Sequence, residues 1–140
     1  MTRLMGRTAE ATLRVIPENA DTLLSVSGPD GDAAPASSRL AEVMEQAAVR
    51  LMRRGLDDGE SSVAISTTLH HAALSRTRGD TLHARATCVA MEGRLYRFEV
   101  NVFDESGLIA SGEHVRALVA ARRVEAAARC HALPAMLLQA

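Results

Sequence analysis

Residues 37–55 read Ser-Ser-Arg-Leu-Ala-Glu-Val-Met-Glu-Gln-Ala-Ala-Val-Arg-Leu-Met-Arg-Arg-Gly, and this stretch decides the fold. Its apolar side chains recur three and four residues apart, as they do on one face of an amphipathic helix: Leu40, Val43, Met44, Ala47, Ala48, Leu51 and Met52. Ser37 or Ser38 can cap such a helix, and Gly55 is a natural stop after it. The pattern therefore predicts a helix over roughly residues 38–54.

On both sides of this helix the pattern changes to the two-residue alternation that is typical of strands. Alternating stretches predict five strands, over residues 8–16, 61–71, 80–91, 94–103 and 108–120. In the second of these, we expect one face to carry Val63, Ile65, Thr67 and Leu69. Tight turns are predicted at 92–93 and 104–107, and a closing helix is predicted at 122–131. A weak apolar stretch at 22–26 and a Gly-, Pro- and Asp-rich loop at 27–35 precede the long helix.

The order of these elements is a strand, a long helix and then four strands in an antiparallel meander. It predicts an α+β architecture, and it matches the hotdog fold, an antiparallel β-sheet wrapped around one long central α-helix. We expect a single domain over residues 1–140, with a core at about 7–120 and a C-terminal helix and tail at 121–140. One helix can cover only one face of the sheet, and an edge strand is left without a partner. We therefore expect a homodimer formed through that edge.

Composition argues against several classes of function. The 140 residues are 47% hydrophobic and carry a net charge of −1, so neither a nucleic acid nor an anionic membrane is expected as a partner. No apolar run reaches the roughly 18 residues of a transmembrane helix, and the first residues lack the apolar stretch of a signal peptide. Cys88 and Cys130 show neither metal-site spacing nor a disulfide framework. We therefore expect a cytoplasmic protein without a bound metal.

Four fragments, in order, resemble the fluoroacetyl-CoA-specific thioesterase type within the hotdog superfamily. Residues 43–50 are similar to a helix segment written LMEWA in that family, and residues 56–62 are similar to its L-x-x-G-E-G-S connection. Residues 69–73 resemble its catalytic His followed by small residues, and residues 112–116 resemble its G-x-H-x-R. The resemblance covers roughly residues 36–120 and implies an enzyme that hydrolyses an acyl-CoA or acyl-carrier thioester.

The resemblance also implies the site residues. The catalytic Glu of the family falls on Glu45, and a Thr that lies eight residues before it falls on Ser37, which keeps the hydroxyl. The catalytic His, 26 residues after the Glu, falls on His71. The family's His-x-Ala-Ala pattern would select His70 instead. Strand phase favours His71, which shares a face with Leu69, and His70 remains the alternative.

These residue types suit thioester hydrolysis. Glu45 could act as a nucleophile or as a base that activates water, and His71 could transfer a proton near neutral pH. Ser37 could bond the substrate, and N–H groups at the start of the helix would suit an oxyanion. No cofactor is expected, because the CoA thioester is the substrate. His114 and Arg116 are predicted to support the fold or the dimer interface.

Two other functions fit the sequence. A non-catalytic hotdog protein could bind an acyl thioester or a small hydrophobic ligand, because the N-terminal region does not resemble the part of the family that supplies the acyl pocket. A hotdog lyase or hydratase ranks last, because the Asp-then-His arrangement usual in such hydratases is absent. Arg76 and Arg78 could meet CoA phosphates, although a solvated turn is the default for this pair.

Overall fold

The computed structural model describes residues 2–14, 37–72 and 81–130. After a short 3-10 helix at Thr2–Leu4 the elements are β1 (Thr8–Arg14), α1 (Ser37–Arg53), β2 (Glu60–His71), β3 (Thr81–Glu92), β4 (Leu95–Asp104), β5 (Gly107–Ala120) and α2 (Ala121–Cys130). Within the described residues, the predicted strands and helices are therefore confirmed. The apolar stretch at 22–26, the loop at 27–35, the Arg76 and Arg78 pair and residues 131–140 lie outside the described part of the chain.

The five strands form one antiparallel sheet in the order β1-β3-β4-β5-β2. The predicted four-strand meander is wrong in one respect, because β2 pairs with β5 at the edge of the sheet and not with β3. Two-residue turns make β3, β4 and β5 successive neighbours, whereas nine residues, 72–80, separate β2 from β3. That longer connection does not require its two strands to pair, and β1 takes the place beside β3.

Helix α1 lies against one face of the sheet and contacts all five strands. The seven apolar residues that the sequence assigned to the core face of α1 are all buried. They meet inward-facing side chains at alternate strand positions, among them Ala9, Ala11, Leu82, Ala84, Ala86, Tyr96, Phe98, Val100 and Val102. Because the positions on β1 and β3 are mostly alanines, the helix can approach these strands closely. The result is the predicted α+β arrangement, a sheet curled around one helix.

Strand β2 has a bulge at Ile65, where its register with β5 shifts by one residue. A bulge adds one unpaired residue and so reverses the alternation of the side chains beyond it. Val63 accordingly packs with α2 on the outer face of the sheet, the face away from α1, whereas Leu69 packs into the main core. The expected common face from Val63 to Leu69 is therefore wrong. Beyond the bulge, Leu69 and His71 do share the face that is turned towards α1.

The second helix, α2, packs on the outer face of the sheet. Ala127 and Val124 of α2 contact Ala117 and Val119 of β5, in a small apolar cluster apart from the main core. None of the helices that the structure describes is both long and apolar enough to cross a membrane.

Gly112 on β5 marks a close approach between α1 and the sheet. A Cβ atom at this position would collide with the backbone carbonyl oxygen of Thr68 on β2 and would lie 2.9 Å from Cε of Met44 on α1. The backbone of β2 therefore excludes a side chain at position 112, and Met44 of α1 lies over the same point. Two and four residues further on, His114 and Arg116 lie on the same face, towards α1, and both are buried.

Candidate active site

Ser37 and His71 meet at the N-terminal end of α1. Ser37 is the first residue of α1 and His71 is the last residue of β2. Ser37 Oγ lies 3.0 Å from Nε2 of His71, so a hydrogen bond joins the two side chains. Both residues are exposed. The fold thus brings together two of the three side chains that the sequence singled out, at a place where water and a small molecule can reach them.

Glu45, the third of these side chains, lies two turns further along α1 and makes a different contact. Its Oε1 lies 3.5 Å from NH1 of Arg116 on β5. The side chain of Glu45 is 46% exposed, whereas that of Arg116 is 8% exposed. The carboxylate of Glu45 is therefore half-exposed and faces the buried guanidinium of Arg116.

Residues of the sheet hold the guanidinium of Arg116 in place. Its Nε donates to Oγ of Ser62 at 2.9 Å and its NH2 donates to the backbone carbonyl of Ser62 at 3.2 Å. Its NH1 donates to Nε2 of His114 at 3.1 Å. Burial lowers the pKa of Arg116 and the nearby charge of Glu45 opposes this, but the ordinary pKa of an arginine is so high that the guanidinium stays charged.

His114 is fully buried and uncharged at neutral pH. Burial, and then the positive charge of Arg116, lower the pKa of His114 from 6.5 to about 4, although Glu45 opposes the shift. Because Arg116 can only donate, Nε2 of the neutral ring must be the acceptor and the proton resides on Nδ1. Nδ1 then donates to Oγ1 of Thr67 on β2, 2.6 Å away. The hydrogen bonds of the ring are thereby satisfied and its tautomer is fixed.

The two groups of side chains lie apart within one chain. Glu45 lies eight positions after Ser37 in the helix, which puts their α carbons about 12 Å apart. An open groove of about 410 Å³ runs along the solvent-facing side of α1 and is lined by Glu45, Gln46, Val49 and Arg53 among others. The Ser37–His71 pair and the Glu45 carboxylate therefore both lie on the side of the sheet that α1 covers.

Comparison with known proteins identifies the family. The family profile described as "FlK: Fluoroacetyl-CoA-specific thioesterase" matches residues 18–122, three quarters of the chain. The chain belongs to this family. It is therefore a thioester hydrolase of the hotdog fold, which favours hydrolysis over the non-catalytic alternative. Among curated proteins, no significant match was found.

Solved structures support the same assignment. The chain is similar to the fluoroacetyl-CoA thioesterase FlK, with a TM-score of 0.74 and 26% identity over 89% of this chain and 94% of that one. A variant of FlK in complex with fluoroacetate and CoA matches with a TM-score of 0.71 and 26% identity, over 86% and 98% of the two chains. A hypothetical protein of Thermus thermophilus, described as a thioesterase superfamily member, shares the fold with a TM-score of 0.77 and 23% identity over 89% and 90%.

His70, the alternative to His71, lies on the opposite face of the sheet. Its neighbours there line a shallow groove on the outer face, which includes Glu99, Asn101 and Ser111 of β4 and β5. Neighbouring residues of a strand point to opposite faces, so His70 and His71 cannot serve the same site within one chain. His71 lies on the face of the sheet that is turned towards α1, the helix that carries Ser37 and Glu45.

Sequence reasoning missed the contact between Arg116 and Glu45. The alternation of β5 could have shown that His114 and Arg116 share a face, and that both would be buried if this face were the inner one. A buried cation requires a partner, but the sequence does not say which residue of α1 lies above it. In the residues that the structure describes, no group of three or more His, Cys, Asp or Glu side chains is arranged to hold a metal ion.

Proposed function

We propose that this protein hydrolyses an acyl-CoA or acyl-carrier thioester with Glu45, His71 and Ser37. The hydrogen bond between Ser37 and His71 at the start of α1 carries the proposal, because it joins two of the three residues on the side of the sheet where Glu45 also lies. Family membership supports the reaction class. The substrate of the similar thioesterase FlK, fluoroacetyl-CoA, is the first acyl thioester to examine.

The chemistry needs an attacking oxygen, a place for negative charge and a proton for the departing thiolate. In one route, Glu45 takes a proton from water as that water attacks the thioester carbon. In the other, the carboxylate of Glu45 attacks and forms an anhydride that water then cleaves. In both routes the carbon–sulfur bond breaks, its electron pair goes to sulfur, and we assign to His71 the supply of the proton. N–H groups at the start of α1 suit the oxyanion.

Oxygen-18 water separates the two routes. In a single turnover with protein in excess over substrate, attack by the carboxylate, followed by attack of water on the Glu45 carbonyl of the anhydride, transfers one unlabelled oxygen from Glu45 to the acid product. Mass spectrometry would then find the label in the Glu45 side chain. Label in Glu45 therefore establishes the anhydride route, whereas direct attack by water, like cleavage of the anhydride at its acyl carbon, places the label in the acid alone.

The separation of Glu45 from His71 in one chain supports a site completed by a second copy. β2 is an edge strand, and its residues 64–68 are exposed. An exposed edge offers unpaired backbone groups to another strand. A two-fold axis near Thr68 would pair β2 with its copy and place His71 of one chain opposite Ile65 of the other, one residue from the position that pairs with Arg116. Two strand spacings would then separate His71 from Arg116, about 10 Å between α carbons.

Mixed dimers test this arrangement. Glu45→Gln chains are unfolded and refolded together with His71→Ala chains, so that dimers form at random. If each site takes Glu45 from one copy and His71 from the other, half of the dimers hold one intact site, and activity returns to about a quarter of the wild-type value. No gain over the separate variants would refute a shared site. Sedimentation velocity of the wild type checks the dimer itself.

The reaction is tested by thiol release from a panel of short, medium, aryl and fluorinated acyl-CoAs. We expect turnover of at least one member, and a loss of about 100-fold or more in kcat for His71→Ala. His70→Ala is the matched control, because it removes the same side chain from the next position on the outer face. Equal losses in the two variants would refute the assignment of His71. A cytoplasmic location, which the free and buried Cys88 fits, remains part of the proposal.

A further inference from the structure

The groove along α1 has opposite charges at its two ends. It measures about 410 Å³, and the residues of α1 that line it are Glu42, Glu45, Gln46, Val49, Arg50 and Arg53. The two carboxylates come first along the helix and the two arginines come last. A long ligand that lies in this groove with one anionic end would therefore place that end beside the arginines, because the carboxylates repel it.

Arg53 is the arginine of this groove whose guanidinium is available to a ligand. NH1 of Arg50 donates to the backbone carbonyl of Glu10 at 3.0 Å, and NH1 of Arg54 donates to that of Thr8 at 2.8 Å, so both side chains turn towards the edge strand β1. The guanidinium of Arg53 is exposed and makes no hydrogen bond or ion pair with any residue that the structure describes. Its forked N–H groups suit the oxygens of a phosphate.

The distance from Glu45 to Arg53 matches the length of a pantetheine arm. Glu45, Val49 and Arg53 are spaced four residues apart, so they follow one another along one side of α1. Eight helical positions put the α carbons of Glu45 and Arg53 about 12 Å apart, and the long side chain of Arg53 can extend this span. In acyl-CoA, about thirteen bonds join the thioester sulfur to the first phosphorus, which is roughly 15 Å when extended. A thioester carbon beside Glu45 thus brings the phosphate within reach of Arg53.

We propose that the groove along α1 binds the pantetheine arm of the thioester and that Arg53 binds the phosphate at the end of this arm. The assignment rests on the proposed function, because Glu45 marks the end of the groove where the thioester carbon lies. The same phosphate occurs in CoA and in the phosphopantetheine group of an acyl-carrier protein. Since this contact is remote from the reacting carbon and equal in the ground and transition states, it lowers KM and leaves kcat unchanged.

The test measures kcat and KM for thioesters that share one acyl group, the best of the panel. They are acyl-CoA, acyl-phosphopantetheine and acyl-pantetheine, of which the last has no phosphate. We expect Arg53→Gln to raise KM about tenfold for the first two, with kcat within about twofold of the wild type, and to have no effect on acyl-pantetheine. Arg53→Lys keeps the charge but loses the fork, so it should recover part of the loss.

A carrier protein that bears the same acyl group is the fourth substrate, and it separates the two sources of the phosphate. Whichever of acyl-CoA and the acyl carrier has the higher wild-type kcat/KM identifies the source that the enzyme uses. Salt gives a further measurement, because it screens exposed charges. About 0.5 M NaCl should raise KM for acyl-CoA more in the wild type than in Arg53→Gln.

Arg54→Gln is the matched control. It removes the same charge from the next residue of the chain, but the Arg54 side chain points to β1. We expect this variant to keep the wild-type KM for every thioester, and thermal unfolding checks that all variants fold. Calorimetric titration with free CoA gives a measurement that does not depend on turnover. The Kd of CoA should rise about tenfold in Arg53→Gln and stay unchanged in Arg54→Gln.

Three results would overturn the inference while the proposed function stands. One is a wild-type KM for acyl-CoA in folded Arg53→Gln. Another is an equal rise in KM for acyl-pantetheine, which has no phosphate to lose. The third is a rise for acyl-CoA but none for acyl-phosphopantetheine, which would place the contact on a more distant phosphate of CoA.

Failure of the proposed function gives a different result, namely no turnover of any thioester by the wild type. The titration with CoA then decides the inference by itself. A Kd that rises about tenfold in Arg53→Gln alone would support binding of the phosphate by Arg53. The same Kd in the wild type and in Arg53→Gln would overturn it.

Discussion

Lowering the pH should destabilise the protein through one buried side chain, His114. Its pKa in the folded state is about 4, against 6.5 for an ordinary histidine. Between these values the unfolded chain binds a proton that the folded chain does not. Stability from this group is therefore intact above pH 6.5 and is lost as the pH falls towards 4. At about 1.4 kcal/mol for each pH unit, the loss amounts to about 3 kcal/mol.

Comparison with His114→Gln isolates this effect. Glutamine can still accept a hydrogen bond from Arg116 but does not titrate, whereas all carboxylates and the other histidines are common to both proteins. Urea unfolding at a fixed protein concentration gives the free energy of unfolding of each protein between pH 7 and 4.5. The wild type should lose about 2–3 kcal/mol more than the variant over this range. Parallel pH dependences would refute the assignment of a neutral, buried His114.

Three further predictions concern the core. Gly112→Ala should cost about 3 kcal/mol in the free energy of unfolding, because its Cβ meets the backbone of Thr68 and Cε of Met44; a wild-type urea midpoint would contradict this. Phe98→Ala should lower the free energy of unfolding by about 3–5 kcal/mol, since the ring is fully buried. A loss below about 1 kcal/mol would contradict the burial of this ring. Burial raises the pKa of Cys88, so peptide mapping after treatment with iodoacetamide should find it unmodified in native protein and alkylated in urea.

Much of the fold could be predicted because the local patterns agree with the packing. The three- and four-residue spacing of α1 and the clean alternation of β4 both mark faces that are in fact buried. The pairing of β2 with β5 could not be predicted, because the nine-residue connection between β2 and β3 does not determine which strand β2 pairs with. The bulge at Ile65 is marked by neither glycine nor proline, so the reversal of faces along β2 emerges only from the structure.

The candidate site was predicted in part. A resemblance to a family singled out Ser37, Glu45 and His71, but it gives no distances, and only the structure joins Ser37 to His71. The neighbourhood of Arg116 depends on how far α1 approaches β5. That approach depends on packing between the helix and the whole sheet, which no local pattern in the sequence encodes.

The rate of thiol release by Glu45→Gln tests the account most directly. Glu113→Gln is the matched control, because Glu113 is also a carboxylate paired with an arginine, but on the outer face of the sheet. With the best acyl-CoA of the panel, we predict that kcat of Glu45→Gln falls by at least about 100-fold while Glu113→Gln keeps the wild-type value. A folded Glu45→Gln protein that turns over as fast as the wild type would contradict the account.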